Sequence, residues 1–461
     1  MKIEIKNLGV LKQAEFTLGD LTIICGGNNT GKTYVTYSLY GFISYWRELI
    51  TVDIHKKYID QLLADGTVNI DIQEYIIKIH EILEKGCEAY KKKLPMVFAV
   101  SPDRFKDTEF KVTIDDKEVK CKNKFNRSIR ASNAEIFTIT KKSNSMDLVV
   151  TLLVERENIK IPHQVITRRI ASAMKEIVFS SLFPNPFIAS TERTGSAIFR
   201  KELTFARNRL LQEMNDDEKN IDPKELLSKV YQDYALPVRE NVDLACNLQT
   251  IAKTSSFLVE NYADILEDFA VIIGGKYSVT RNDELYYTPK GKLIKLTMDE
   301  SSSAVRSLLD IGFYLKHIAK PGDLLMVDEP ELNLHPENQC RVARLFARLV
   351  NIGIKVFITT HSDYIVKELN TLIMLNHDKP HLRRIAEQEG YKQEELISSD
   401  KIKVYIAEEA MVKLDGGQRK TRCQTLTAAD IDPFLGIEAR SFDTTIARMN
   451  RIQEEIVWGA E

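Results

Sequence analysis

The segment Gly26-Gly27-Asn28-Asn29-Thr30-Gly31-Lys32-Thr33 constrains this chain most, because few folds place a glycine loop of that spacing between a strand and a helix. Leu21-Thr22-Ile23-Ile24-Cys25 reads as a buried strand running into it, and a helical pattern follows from Lys32 to about Trp46. Gly26 and Gly31 permit backbone conformations that aim successive N–H groups inward, and the helix adds the positive end of its dipole. Such a nest fits triphosphate oxygens. Lys32 suits the β and γ oxygens, and the Thr33 hydroxyl suits Mg2+, which prefers hard oxygen ligands. The expected nucleotide contacts are Gly26, Asn28, Asn29, Thr30, Gly31, Lys32, Thr33 and Tyr34, with ATP and Mg2+ as cofactors.

Three later segments complete a constellation. Leu324-Leu325-Met326-Val327 is an apolar strand delivering Asp328 and Glu329 at its end, the first suited to supporting the metal and the second to polarising water as a general base. Tandem acids there can also be an ordinary turn, but the upstream loop outweighs that reading. Ile358-Thr359-Thr360-His361-Ser362 is a second strand ending in a polar residue, where His361 is placed to meet a γ-phosphate or its attacking water. Ser301-Ser302-Ser303 opens an apparent helix; such serines cap the helix and can present donors to an anion.

Between these motifs the chain changes character. Residues 47–95 carry helical periodicity, 108–156 alternate like strands, and amphipathic helices are predicted near 164–182, 197–215 and 223–268. Strands are expected over 276–297, a helix over 303–319 and another over 336–350. The expected architecture is an α/β head, a mixed sheet flanked by helices, with lobes at 1–46 and 271–400 split by a mainly helical insertion at 47–270. Residues 401–461 read as a tail, either a docking element or an ordinary packed end.

The order of these motifs resembles the ABC ATPase heads of the SMC, RecF and OLD-like group. That resemblance implies that Lys32 and Thr33 bind phosphate and Mg2+, Asp328 supports the metal, Glu329 is the catalytic base and His361 senses the γ-phosphate. Ser302 would cap nucleotide held by a second copy, implying a homodimer or higher oligomer. The phosphate loop, Ile273-Gly274-Gly275-Lys276-Tyr277, Ser190-Thr191-Glu192-Arg193-Thr194-Gly195 and Asp328-Glu329-Pro330-Glu331 further resemble small ATPases of anti-phage systems such as Septu. This implies a separate effector, a nuclease such as an HNH endonuclease. Two departures stand out: Ser303, Ala304 and Val305 replace the usual signature residues after the serine, and no glutamine lid motif is evident.

Composition narrows the partners. A net charge of -2 gives no global field toward nucleic acid or anionic membrane. Lys117, Lys120, Lys122, Lys124, Arg127 and Arg130, and Arg419-Lys420-Thr421-Arg422, can contact DNA or RNA phosphates, although a charge run is usually a solvated face and neighbouring Asp115, Asp116 and Glu118 favour that reading. Asp430-Ile431-Asp432 reads as a turn, so no nuclease site is expected in the chain itself. No apolar run approaches the ~20 residues of a membrane span, and six scattered cysteines fit reduced thiols of the cytosol. The main rival is a RecF-like repair or recombination ATPase acting directly on DNA. A transporter's nucleotide-binding subunit and a non-hydrolysing scaffold are the others.

Overall fold

The computed structural model describes residues 1–131, 134–153, 162–205, 234–414, 419–437, 448–449 and 451–455. They divide into two compact units, one made of Met1–Glu4, Phe42–Lys93 and Thr108–Pro184, the other of Ile5–Gly41, Leu94–Asp107 and Asn185–Glu461.

Strands β1 (Lys2–Leu8) and β2 (Leu11–Thr17) open the chain, with Ile3 and Ile5 of β1 buried between half-buried charged neighbours. β3 (Leu21–Gly26) is buried at every position and feeds the glycine loop, after which α1 (Lys32–Leu49) begins.

The first unit carries an antiparallel sheet of order β4-β8-β7-β6, from β4 (Thr67–Asp71), β6 (Phe125–Ala131), β7 (Ala134–Lys141) and β8 (Asp147–Leu152), with β5 (Glu109–Thr113) earlier in the chain than β6. β4 corrects the helical expectation for 47–95: buried Val68 and Ile70 alternate with exposed residues between the helices Lys56–Asp65 and Ile79–Lys91. Period-two alternation over five residues is too short to stand out from helical flanks. Helix His163–Phe179 matches the prediction near 164–182.

The second unit is built on a six-stranded sheet of order β15-β14-β3-β13-β12-β9. Its strands are β3, β9 (Pro186–Ala189), β12 (Leu324–Asp328), β13 (Lys355–Thr360), β14 (Ile402–Lys413) and β15 (Lys420–Ala428), while β10 (Gly275–Val279) and β11 (Leu285–Pro289) form a separate hairpin. All pairings in the large sheet are parallel except β14 with β15. Continuous apolar runs suit this, because parallel strands are covered on both faces. Leu21, Ile23, Val327, Val356 and Ile358 share one core with Phe346, Leu349, Leu369 and Leu372 of the helices Pro336–Asn351 and Asp363–Leu375. The mixed sheet flanked by helices is therefore present.

Three boundaries differ from expectation. The chain joins the head sheet at β9, well before residue 270; only four residues pair with β12, too few to betray a strand. The tail beyond 401 begins as a core strand, with Val404, Tyr405, Ile406 and Ala407 paired to Ile23, Ile24, Cys25 and Gly26. From residue 234 the helix expected over 223–268 is broken into Leu236–Cys246, Leu248–Ile251, Phe257–Asn261 and Ala263–Ile273; Ser256 caps the third piece by accepting from the Leu258 amide. The helix expected at 197–215 is seen as α2 (Arg193–Ile198) and helical residues 200–205, and its remainder lies outside the described residues. Among the described residues no helix is long and apolar enough to cross a membrane.

Candidate functional site

The carboxyl ends of β3, β12, β13 and β9 lie side by side, the edge at which parallel sheets bind ligands. At the end of β3, Gly26 and Gly31 have φ of 147° and 99°, and Asn29 has 61°. A Cβ on Gly26 would lie 2.5 Å from the Ala407 carbonyl oxygen, and one on Gly31 would lie 2.8 Å from the Leu11 side chain, so both positions require glycine for space as well as for conformation. Thr30 Oγ1 donates to the Gly27 carbonyl at 2.9 Å. Gly27, Asn28, Asn29 and Thr33 are exposed, and Tyr34 is half-buried.

Lys32 folds back onto its own loop, donating from Nζ to the Gly26 and Gly27 carbonyls at 3.0 and 2.7 Å. Burial lowers its pKa, opposed by the nearby carboxylates of Glu329, Asp328 and Glu331. The charge of Lys32 thus feels Asp328 and Glu329 at the end of β12 together with Glu331, so loop and acids form one site.

Asp328 is buried, and burial pushes its carboxyl up to about 6 against a hydrogen bond from Thr359 Oγ1. Its second oxygen, Oδ2, has no hydrogen-bond partner. Glu329 has φ of 48°, a left-handed conformation that costs about 1–3 kcal/mol for a residue with a side chain. Its carboxylate meets His361, with Oε1 and Nε2 3.1 Å apart. The structure thus gathers Lys32, Asp328, Glu329 and His361.

Ser302 stands apart. It caps α3 (Ser303–Ser307), accepting from the Val305 amide at 3.4 Å, and is exposed. Among the described residues its hydroxyl makes no hydrogen bond to the phosphate loop. The predicted helix over 303–319 is in three pieces, Ser303–Ser307, Leu309–Phe313 and a π-turn at Tyr314–Ile318.

Several site residues escape motif reading. Glu331 Oε1 accepts from the His361 amide at 2.6 Å, while its Oε2 is buried without a partner. Glu192, just past β9, accepts from Tyr37 Oη at 3.2 Å, and its charge also reaches Asp328. Gln424 of β15 donates to the Thr30 carbonyl at 3.1 Å. The signal for the last pair lay only in strand order, which joins β14 and β15 to β3.

An orphaned carboxylate oxygen on Asp328, beside a loop that closes on a lysine, fits a divalent ion shared with phosphate oxygens. Thr33 and Asp328 would hold such an ion. Among the described residues no group of three or more histidines, cysteines and acids is placed to hold a metal ion. Asp432 Oδ1 accepts from the Phe434 and Leu435 amides at 2.7 and 2.9 Å, so it forms a turn.

The sequence model of the AAA ATPase domain matches residues 1–366. The chain therefore belongs to the AAA ATPase domain family. Among solved structures it is similar to an SMC head bound to the C-winged helix domain of ScpA, at 11% identity over 92% of this chain and 97% of that one, with a TM-score of 0.33. An SMC head with an extended coiled coil, bound to the C-terminal domain of ScpA and derived from Pyrococcus furiosus, matches at 13% identity over 98% of each chain, with a TM-score of 0.31. The SMC head domain from Thermotoga maritima follows at 10% identity over 93% of this chain and 98% of that one, with a TM-score of 0.30. No curated protein matches the chain.

Proposed function

We propose that the chain binds ATP with Mg2+ at the edge where β3, β12 and β13 end and hydrolyses it through Glu329. The observation that carries this reading is the convergence of Lys32, Asp328, Glu329 and His361, contributed by three parallel neighbours in the sheet. Arrival of phosphate offers Lys32 anionic acceptors in place of two loop carbonyls, so its Nζ turns outward. Mg2+ supplies charge neutralisation on the phosphate oxygens. Glu329 takes the proton of the attacking water, and His361, hydrogen-bonded to Oε1, orients that carboxylate and faces the γ-phosphate.

The finer reading is an ABC-type subunit whose exposed Ser302 closes over nucleotide held by a second copy and which controls a separate nuclease in anti-phage defence. What supports it is the order of the motifs, their resemblance to the Septu group, and a Ser302 hydroxyl not committed to its own phosphate loop. Direct action on DNA has less support. Lys122 and Arg127 both pair with Glu176, and Arg130 pairs with Glu135, so three of the six basic residues are engaged by carboxylates of the chain itself.

Phosphate release by wild type and by Lys32→Ala tests hydrolysis: turnover confined to wild type is expected, and equal release would remove the reading. Light scattering of Glu329→Gln with ATP tests dimerisation. An ATP-dependent rise in mass is expected, and an unchanged monomer would end the two-copy reading. Pull-down with the product of a neighbouring reading frame tests the effector.

A further inference from the structure

Arg193 is fully buried on the first turn of α2, immediately beyond β9. A buried guanidinium needs its donors satisfied, and its planar fork matches a carboxylate. Here it binds none. Nε donates to the Ser307 carbonyl at 2.7 Å, Nη1 to the Ser190 and Asp328 carbonyls at 2.7 and 2.6 Å, and Nη2 to the Glu329 carbonyl at 2.7 Å. The acceptors belong to three segments far apart in the chain: the end of β9, the end of β12, and the helix that Ser302 caps. The nearby acid Asp310 keeps a buried oxygen without a partner, although its charge faces Arg193. Ion pairing is therefore not what the fork accomplishes; it fixes backbone.

The backbone that it fixes is unusual. Glu329 holds its left-handed φ of 48° with its amide on Thr359 O at 3.1 Å and its carbonyl accepting from both Arg193 and the Leu332 amide, the latter at 3.2 Å. The same two segments meet again where Ser307 Oγ donates to the Leu332 carbonyl at 3.0 Å. Turning the Glu329 peptide would break the Nη2 bond, and shifting α3 would break the Nε bond of the same rigid group.

We propose that Arg193 is a positioning residue that holds the Glu329 peptide in its left-handed turn and, beside the Ser307–Leu332 hydrogen bond, joins it to the Ser302-capped helix, so that movement of that helix reaches Glu329. This rests on the reading of Glu329 as the base and of Ser302 as the cap over nucleotide.

The test uses full-length Arg193→Lys, which keeps the charge and loses the fork. It is expected to bind a non-hydrolysable ATP analogue within about threefold of wild type while kcat falls about 100-fold, the penalty of a misplaced catalytic group. Amide exchange should quicken together in residues 303–307 and 329–334. In a Glu329→Gln background the same substitution should slow hydrolysis no further, because both changes disable one group. Wild-type kcat in Arg193→Lys, a full additional loss on top of Glu329→Gln, or unchanged exchange at 329–334 would each overturn the proposal. Undiminished turnover in Glu329→Gln alone would instead remove Glu329 as base, and the paired exchange would still decide the mechanical link. Should Arg193→Lys not fold, wild type with and without the analogue decides: protection at 303–307 and 329–334 must change as one unit, and independent change refutes the link.

Discussion

The two compact units bury different things. The first is held by an aromatic cluster in which Phe42 meets Tyr90, Phe110 and Phe183 at centroid distances of 5.4, 5.3 and 5.7 Å, and Trp46 meets Phe183 at 5.3 Å. Among its described residues the buried polar ones are Thr108 and Lys141, the latter donating to the Asn123 carbonyl at 3.0 Å. The second unit buries Lys32, Arg193, Asp310, Asp328 and Arg348. Apolar collapse is enough to stabilise the first, whereas buried charge costs free energy wherever it is not paired or bonded. Lys32, Asp328 and Arg193 lie at or just beyond the carboxyl ends of β3, β12 and β9, whereas Arg348, in the last turn of the helix that precedes β13, pairs with Asp264 and Asp268.

That contrast can be broken by substitutions in each unit. Glu329→Gln should lower kcat by roughly 10²–10⁴, the usual reach of a general base, with unfolding unchanged; retained turnover in a steady-state assay would move the chemistry elsewhere. Phe110→Ala, in the first unit, should cost about 3–5 kcal/mol in denaturant unfolding through loss of buried ring and residual cavity. Nucleotide affinity per folded molecule should not follow it; if it did, the units would not be separable in function.

Asp310→Asn sharpens the buried-charge half of the comparison. Burial lifts the Asp310 carboxyl from its ordinary 3.8 to about 7, with Arg193 pulling it down. The folded chain keeps a proton that the unfolded chain releases between these values, so this group's contribution becomes less favourable to folding as pH rises through that window. The substitution should therefore raise Tm relative to wild type more at pH 8 than at pH 5; an equal difference at both values would show that Asp310 does not titrate there. The smallest effect is expected from Gln424→Ala. Loss of one neutral bond to the Thr30 carbonyl, worth about 1 kcal/mol, should weaken ATP binding about fivefold in a titration.

The phosphate loop was legible because its determinants are contiguous: two glycines, a lysine and a threonine between a strand and a helix act on their own backbone. Asp328, Glu329 and His361 were legible as polar residues ending apolar strands, and the sheet then placed those strands next to each other. β9 and β4 were hidden by their shortness, and Ile402–Lys413 was hidden by its distance from the loop that it supports. Arg193 drew notice within Ser190-Thr191-Glu192-Arg193-Thr194-Gly195 but yielded no role, since its partners are main-chain carbonyls, which every residue carries.

By itself the sequence determined which residue types end the strands, a glycine loop with Lys32 and Thr33, two carboxylates and a histidine, because each depends on residue type at short spacing. Tertiary structure alone decided what holds them. Strand order set β13 between β3 and β12, carried β14 beside the loop and aimed Arg193 at the Asp328 and Glu329 carbonyls. The physical reason is that motif residues carry their function in side chains of fixed type, whereas their supports act on backbone atoms whose neighbours only the folded chain selects.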